Sequence, residues 1–319
     1  MSESVPCNYC AVDEATVVFG PGVAQPNQIV RCNRCGLMYA SPRAKVPDHV
    51  EIAAYDPAFD PFRPDDSRTL KERLQVKDSD RTRALLNRLY PQRGRLLEVG
   101  NSLGYLLDVF KKDGWDVVGV EPFYQACRHS REELGLEVKN AILETASLPD
   151  ASFDVVLLNH VIEHIDDPMR TLREVHRVLK PGGHFVIETP RYDTLTFKLL
   201  GRRERSLGCG GHIYFFTTKT LKNLYEAAGF KTVRLDYVGR SLTAERLLYN
   251  VGVISRSPTV GHRLNQLSHR LGLKNWHLYL NLQDMQRVCV QKVATPLPRS
   301  RLAERSGPHA GELRQFAGS

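Results

Sequence analysis

The stretch Arg95-Leu96-Leu97-Glu98-Val99-Gly100-Asn101-Ser102-Leu103-Gly104, followed by a helical segment and then Val117-Val118-Gly119-Val120-Glu121-Pro122, decides the fold. Leu96, Leu97 and Val99 form a short apolar run that stops at a glycine, the pattern of a buried parallel strand. From Tyr105 to Lys112 the spacing turns helical, and Gly114 stands where a helix C-terminus favours a left-handed residue. A second β-branched run ends on Glu121, about 20 residues beyond the glycine turn. In such a strand–turn–helix–strand unit the glycines let backbone approach a ligand, and the terminal acid can take both ribose hydroxyls of a nucleoside.

Composition bounds what surrounds this unit. The 319 residues suffice for one large domain and an appendage, and an apolar content of 42% with 25% charge is that of an ordinary globular chain. The net charge of +8 is compatible with anionic partners, but much of it is local, at Arg202, Arg203, Arg205 and the C-terminal tail, as on a solvated basic surface. No apolar run approaches the ~20 residues of a membrane span, and the N-terminus lacks the basic-then-apolar pattern of a signal peptide. A cytoplasmic location is the expectation.

Three chemistries compete for the glycine turn. A dinucleotide site requires G-x-G-x-x-G, but Ser102 replaces the second glycine and the third is missing. Gly100-Asn101-Ser102-Leu103-Gly104 also reads as G-x-S-x-G, the nucleophile elbow of a serine hydrolase; that elbow follows several strands and an oxyanion loop, whereas polar, Arg-rich sequence precedes this turn. The third reading is a resemblance to motif I of the class I S-adenosylmethionine (SAM) methyltransferases, an acid-x-Gly-x-Gly-x-Gly loop that Glu98, Gly100 and Gly104 match and from which Ser102 departs. Downstream, Leu148-Pro149, the strand Phe153-Asp154-Val155-Val156, the block His160-Val161-Ile162-Glu163-His164 as a helix start, Leu179-Lys180-Pro181-Gly182-Gly183 and the strand Phe185 to Glu188 resemble that family's blocks in its own order. Together the five blocks are far more specific than one glycine loop.

The resemblance implies an α/β fold, a Rossmann-like seven-stranded sheet with its last strand antiparallel, and SAM as cofactor. It implies that Glu98, Gly100, Asn101 and Gly104 line the methionine end of SAM, that Glu121 holds the ribose, that Pro122 and Ile142 border the adenine, and that Asn159 and His160 end the fourth strand beside the substrate cleft. If the acceptor is a hydroxyl, a histidine near neutrality suits its deprotonation, and His160 and then His212 are the candidate catalytic residues. His160 to His164 also spells H-x-x-E-H, the inverted zinc-protease motif, whose side chains at i, i+3 and i+4 would share one helical face. His212-Ile213-Tyr214-Phe215-Phe216-Thr217 is similar to a block in methyltransferases of sugars, quinones and other small metabolites. A small-molecule acceptor is therefore expected, anionic or nucleotide-linked if the arginines near 202 and the glycines near 210 form a lid. Two alternatives stand beside it: a nucleic-acid methyltransferase, which lacks here the Asn-Pro-Pro-Tyr platform for a flipped base, and an inactive SAM-binding scaffold, suggested by Ser102.

Four of the seven cysteines open the chain as Cys7-Asn8-Tyr9-Cys10 and Cys32-Asn33-Arg34-Cys35, two C-x-x-C pairs with the spacing of a zinc ribbon. Four thiolates leave zinc no open position, so the expected ion is structural. The expected organisation is a ribbon over 1–45, a linker and one long helix over 46–90 (helix Thr69 to Leu89), a methyltransferase domain over 91–295 with a mostly helical substrate cover at 241–282, and a disordered tail over 296–319.

Overall fold

The computed structural model describes residues 2–21, 28–44, 66–204, 207, 211–243, 263, 266, 267, 270 and 277–293. In chain order, five short strands come first: β1 (Ser2–Glu3), β2 (Ala15–Phe19), β3 (Ile29–Cys32), β4 (Met38–Ala40) and β5 (Arg43–Ala44). Two helices follow, α1 (Asp66–Asp78) and α2 (Asp80–Leu89). Then come β6 (Arg95–Val99), α3 (Tyr105–Lys112), β7 (Asp116–Val120), α4 (Tyr124–Glu132), β8 (Val138–Lys139) and β9 (Phe153–Asn159). The chain continues with α5 (Pro168–Val178), β10 (Leu179–Pro190), α6 (Leu195–Leu200), β11 (Tyr214–Phe215), α7 (Thr218–Ala227), β12 (Phe230–Thr243) and β13 (His277–Lys292).

Seven strands form the central sheet in the order β12-β13-β10-β9-β6-β7-β8. The five from β10 to β8 run parallel, and β13 enters between β10 and β12 antiparallel to both. Leu96, Leu97, Val118, Val155, Val156 and Phe185 are fully buried, as a sheet covered on both faces requires. The parallel strands end together, so Val99, Val120, Asn159 and Glu188 bring the glycine turn, Glu121 and the residues after Asn159 to one edge. This is the Rossmann-like sheet with an antiparallel last strand that the sequence led us to expect.

A second sheet of four strands, β11-β4-β3-β2, joins the cysteine-bearing N-terminus to the rest of the chain. Tyr39 pairs with Tyr214 and Met38 with Phe215. All four N-terminal cysteines share one buried cluster with Leu97, Phe153, Ile187 and Phe216. The cysteine-bearing module is thus built into the main core.

Three expectations are corrected. The helix expected from Thr69 to Leu89 is two helices, broken at Ser79, whose hydroxyl bonds back to the Gln75 carbonyl at 2.9 Å. The expected helical cover at 241–282 is strand at both ends, because β12 runs to Thr243 and β13 begins at His277, with Ser241 opposite Tyr279. Cross-strand pairing overrides the helical look of that apolar stretch. Finally, the Lys180-Pro181-Gly182-Gly183 turn lies inside β10, whose register shifts between Leu179 and His184. The linker over 46–65, most of the cover between 244 and 276, and the tail from 296 lie outside the described residues.

One buried ion pair joins the last strand to the edge where the parallel strands end. Arg287 Nε stands 2.5 Å from Glu188 Oε2, and Arg287 Nη2 donates to the Asp78 carbonyl at 3.1 Å, beside the helix break. Burial alone would raise the Glu188 carboxyl, but the Arg287 charge and the neighbouring His160 outweigh it and bring it down to about 2. Arg287→Ala is expected to destabilise the fold by about 3–5 kcal/mol, since it strands a buried carboxylate, while the double change to Arg287→Met with Glu188→Leu costs less. Denaturant unfolding of both variants checks this. Because its folded pKa is depressed, Glu188 contributes stability above pH 4.5 that is lost as pH falls towards about 2, and Glu188→Gln removes that part of the acid sensitivity.

Candidate active site

The glycine turn after β6 is held open by backbone conformation and close packing. Gly100 has φ +71°, and a Cβ there would come within 2.5 Å of Val161 Cγ2; Gly104 has φ +85°, and a Cβ there would come within 2.7 Å of Ser130 Oγ. Ser102, at the position of the missing glycine, takes the left-handed region as well, with φ 47°. Its hydroxyl donates to Glu72 Oε1 at 2.6 Å, and the Leu103 N–H donates to Glu72 Oε2 at 3.2 Å. A glutamate on α1 therefore braces the serine that departs from the glycine pattern.

Glu121, just past β7, is 3% exposed. Its Oε2 accepts the Ser102 N–H at 2.8 Å and its Oε1 the Phe123 N–H at 3.0 Å, so the carboxylate is fixed at the turn before any ligand arrives. Asn140 Nδ2 donates to the carbonyls of Glu121 (3.0 Å) and Pro122 (2.8 Å), holding the segment that leads from Glu121 towards Ile142. Ile142 is half-buried and caps the short turn Leu143–Thr145. The Asn101 side chain braces the loop: its Nδ2 donates to the Ser102 carbonyl and to Ser130 Oγ, both at 3.0 Å, and its Oδ1 lies against Gly119.

Glu72, Glu98 and Glu121 form a group of buried carboxyls around this turn. Burial, with Glu72 and Glu121 adding to it, pushes the Glu98 carboxyl well above the usual carboxylate range. Glu98 Oε2 and Asn101 Oδ1 are buried without a hydrogen-bond partner among the described residues. A nest of carboxyls with an unsatisfied oxygen, beside two glycines that leave no room for a Cβ, fits a cationic ligand lying close to the backbone, as SAM is.

Across the cleft, the segment after β9 is a turn, which corrects the helix expected over His160 to His164. His160 takes φ +56°, its N–H donates to the Glu188 carbonyl at 2.8 Å, and the Glu163 carbonyl accepts the N–H groups of Ile213 (2.9 Å) and Tyr214 (3.1 Å). The three side chains of H-x-x-E-H do not line one helical face, and the inverted zinc-protease geometry is absent. The His160 ring remains one-third exposed, with Nε2 3.4 Å from Glu188 Oε1 and Nδ1 3.8 Å from Glu163 Oε1. Asn159 is half-buried and pairs with Glu188 across the ladder.

His212 is 6% exposed, with Nδ1 3.4 Å from the Tyr192 hydroxyl and its ring centroid 4.6 Å from that of His164. It is buried, whereas His160 is one-third exposed. Glu163, His164 and His212 offer ligand atoms within 4.8 Å of one another, so a metal-capable group does exist here, composed differently from the one the motif suggested. The expected lid is described only in part: Arg202 Nη2 donates to the Gly20 carbonyl at 2.6 Å, whereas Arg205 and residues 208–210 lie outside the described residues.

Glu72, Glu188 and Arg287 were not anticipated as site residues. Only Glu188 carried a signal, as an acid closing an apolar strand.

At the N-terminus, the Cys7 and Cys35 sulfurs are 3.5 Å apart and those of Cys10 and Cys32 3.4 Å, all four buried and within 4.8 Å of one another. Four sulfurs about one centre at this spacing fit a tetrahedral ion with metal–sulfur bonds of about 2.3 Å.

Comparison with known proteins agrees with this geometry. A family model described as "Methyltransferase domain" matches residues 70–235. A Mycolicibacterium smegmatis protein named "probable S-adenosylmethionine-dependent methyltransferase" is 33% identical over 137 residues, covering 43% of this chain and 51% of that protein. A Ruegeria pomeroyi ubiquinone biosynthesis O-methyltransferase is 33% identical over 150 residues, covering 44% of this chain and 60% of that one. The chain spans about half the length of these curated relatives. Among solved structures, a chain from the complex between the Haloferax volcanii Trm112 methyltransferase activator and a methyltransferase superposes with a TM-score of 0.50 at 15% identity, covering 78% of this chain and all of that one, a likeness of fold. With a family match over more than half of its length, a sheet in that order and a glycine turn built around Glu121, this chain belongs to the methyltransferase-domain family.

Proposed function

We propose that the protein is a SAM-dependent methyltransferase acting on a small-molecule acceptor. The observation that carries this reading is Glu121, a buried carboxylate fixed by the Ser102 and Phe123 amides at the end of the second parallel strand, where such a sheet binds the ribose of a nucleoside ligand. Gly100, Gly104 and the Glu98 carboxyl take the methionine end, and Pro122 and Ile142 border the adenine. When bound, SAM supplies an electrophilic methyl group on a sulfonium, and transfer is an in-line displacement in which the acceptor's lone pair forms the new bond while the carbon–sulfur pair returns to sulfur. What remains for the chain is alignment, exclusion of water and removal of one proton.

His160 suits the last task. Glu188 Oε1, 3.4 Å from Nε2, and Glu163 Oε1, 3.8 Å from Nδ1, orient the one-third-exposed imidazole that takes the proton of an acceptor hydroxyl. His212, interior and edge-to-face with His164, supports the turn and is a positioning residue in this scheme. The name of the ubiquinone O-methyltransferase relative supports a hydroxyl on a quinone-like acceptor. The four-cysteine site is proposed to hold one structural zinc through Cys7, Cys10, Cys32 and Cys35.

Glu121→Ala should weaken SAM binding at least about tenfold, because it removes a charge-assisted pair of ribose hydrogen bonds. Isothermal titration with SAM reads this, and an unchanged affinity sinks the cofactor site. His160→Ala should leave SAM affinity intact and slow single-turnover methyl transfer roughly 10² to 10⁴-fold, with an acceptor found by screening with radiolabelled SAM. Near-wild-type transfer across the pH range would remove His160 from the base role. Metal analysis should find one zinc per chain in wild type and none in the Cys7→Ser/Cys35→Ser variant; zinc retained by that variant would disprove the site.

A further inference from the structure

The turn over 160–167 contains no regular hydrogen-bonded element of useful length, so its position comes from whatever grips it from outside. Its start is tied to β10, where the His160 N–H donates to the Glu188 carbonyl at 2.8 Å and Thr189 Oγ1 donates to Glu163 Oε2 at 2.9 Å, and His164 Nδ1 lies 2.9 Å from the Gly211 carbonyl; its far end, Asp166 to Met169, is gripped by the cysteine-bearing module. Asn8, inside the first Cys-x-x-Cys pair, donates from Nδ2 to Asp167 Oδ1 at 2.9 Å and accepts the Met169 N–H on Oδ1 at 3.0 Å, holding the first turn of α5. Arg43, 3% exposed, donates from Nη2 to Asp166 Oδ1 at 2.6 Å, from Nε to the same oxygen at 3.2 Å and from Nη2 to the Asp166 carbonyl at 3.2 Å. Its Nη1 returns to the Ala40 carbonyl at 3.1 Å, so the arginine ties β4 to the turn. The Tyr214 hydroxyl takes the same Asp166 carbonyl at 3.1 Å, and the Ile213 and Tyr214 amides take the Glu163 carbonyl, from a strand that itself pairs with β4.

We propose that Asn8 and Arg43 are positioning residues for the substrate-facing turn, so that the cysteine-bearing module, by fixing its Asp166–Met169 end, shares with β10 in setting where His160, Glu163 and His164 stand. The ribbon would then serve the methyl-transfer site of its own chain, in contrast to a ribbon that faces outward to grip nucleic acid. The inference rests on the reading of this turn as the substrate side. Its physical basis is rigidity: a knuckle closed by four sulfurs is a stiff local unit, and a charge-assisted fork to Asp166 transmits that stiffness more firmly than apolar contact alone. The two contacts also straddle the N-terminal cap of α5, where Asp167 Oδ1 accepts the Arg170 N–H at 2.9 Å. Loss of Asn8 therefore loosens a helix start as well as the turn before it.

The test uses the full chain in three forms, wild type, Asn8→Ala and Arg43→Lys, the last keeping the charge and losing the fork. Amide hydrogen exchange over 160–170 should quicken about tenfold or more in Asn8→Ala, most at Met169, and less in Arg43→Lys, while amides of the central strands such as Leu97 and Gly119 keep their rates. In protein labelled with ¹⁵N-histidine, the ring signals of His160 and His164 should move in both variants, and those of His129 and His184, remote from the turn, should not. Unchanged exchange over 160–170, or an equal quickening throughout the sheet, overturns the proposal; the second result would mean that these residues support general stability alone. Titration of wild type with SAM reads the cofactor site separately, so a protein that fails to bind SAM defeats the methyltransferase reading without altering the exchange result.

Discussion

The buried pair of Arg287 and Glu188 is the constraint on which the site depends. Taking two charges out of water is expensive, and such a pair is tolerated only when its geometry is close and its remaining donors and lone pairs are used. Here Arg287 serves Glu188 and the Asp78 carbonyl, and the second Glu188 oxygen faces His160. Four parts of the chain meet at this point: the antiparallel last strand, the last parallel strand, the break between two helices and the turn after β9. Asp78 adds a further tie by accepting the Ser241 N–H and hydroxyl, each at 2.7 Å. Leucine and methionine could fill the same volume at similar stability, but they would give the His160 imidazole nothing ionised to face. What the pair contributes is location.

The central sheet was legible because its signals are local. Apolar runs that stop at glycine, an acid at the right distance and a Phe-Asp-Val-Val block each report on their own strand, and their order reports the topology. The cysteine pairs were legible for the same reason. Glu72 was not, since a glutamate among the polar residues of an amphipathic helix looks like any solvent-facing charge until the fold sets it against Ser102, 30 positions later. Arg287 and Glu188 are 99 positions apart and meet only through strand pairing. The His160 to His164 segment was misread for an instructive reason. Spacing of three and four suggests a helix, but the Glu163 carbonyl that would carry it on is taken by the Ile213 and Tyr214 amides, and long-range capture wins over local periodicity.

Seen from the cleft, the two halves of the site are built on different physics. The glycine-turn side is a tight backbone cradle with buried carboxyls, made almost wholly by residues between Glu98 and Asn140 and stiffened by Glu72. The facing side is an irregular turn held by ion pairs and cross-strand amides from distant sequence. Under the proposed function, changes of acceptor are accommodated in contacts to the turn without touching the cradle. That division suits a fold that hosts many acceptors on one cofactor site.

The long reach of the N-terminal module also shapes how the chain comes off the ribosome. Arg43 and Tyr214 are separated by 171 positions, so at synthesis rates of about 5–20 residues per second the ribbon waits on the order of ten seconds or more for the strand that completes its sheet. Its cysteine knuckles can close early, because their partners are near in sequence. The free side of β4 cannot, and through that interval it presents unpaired amides and carbonyls beside Tyr39 and Met38, the kind of open edge that pairs with a wrong strand. Until Tyr214 emerges, that edge of β4 stays open.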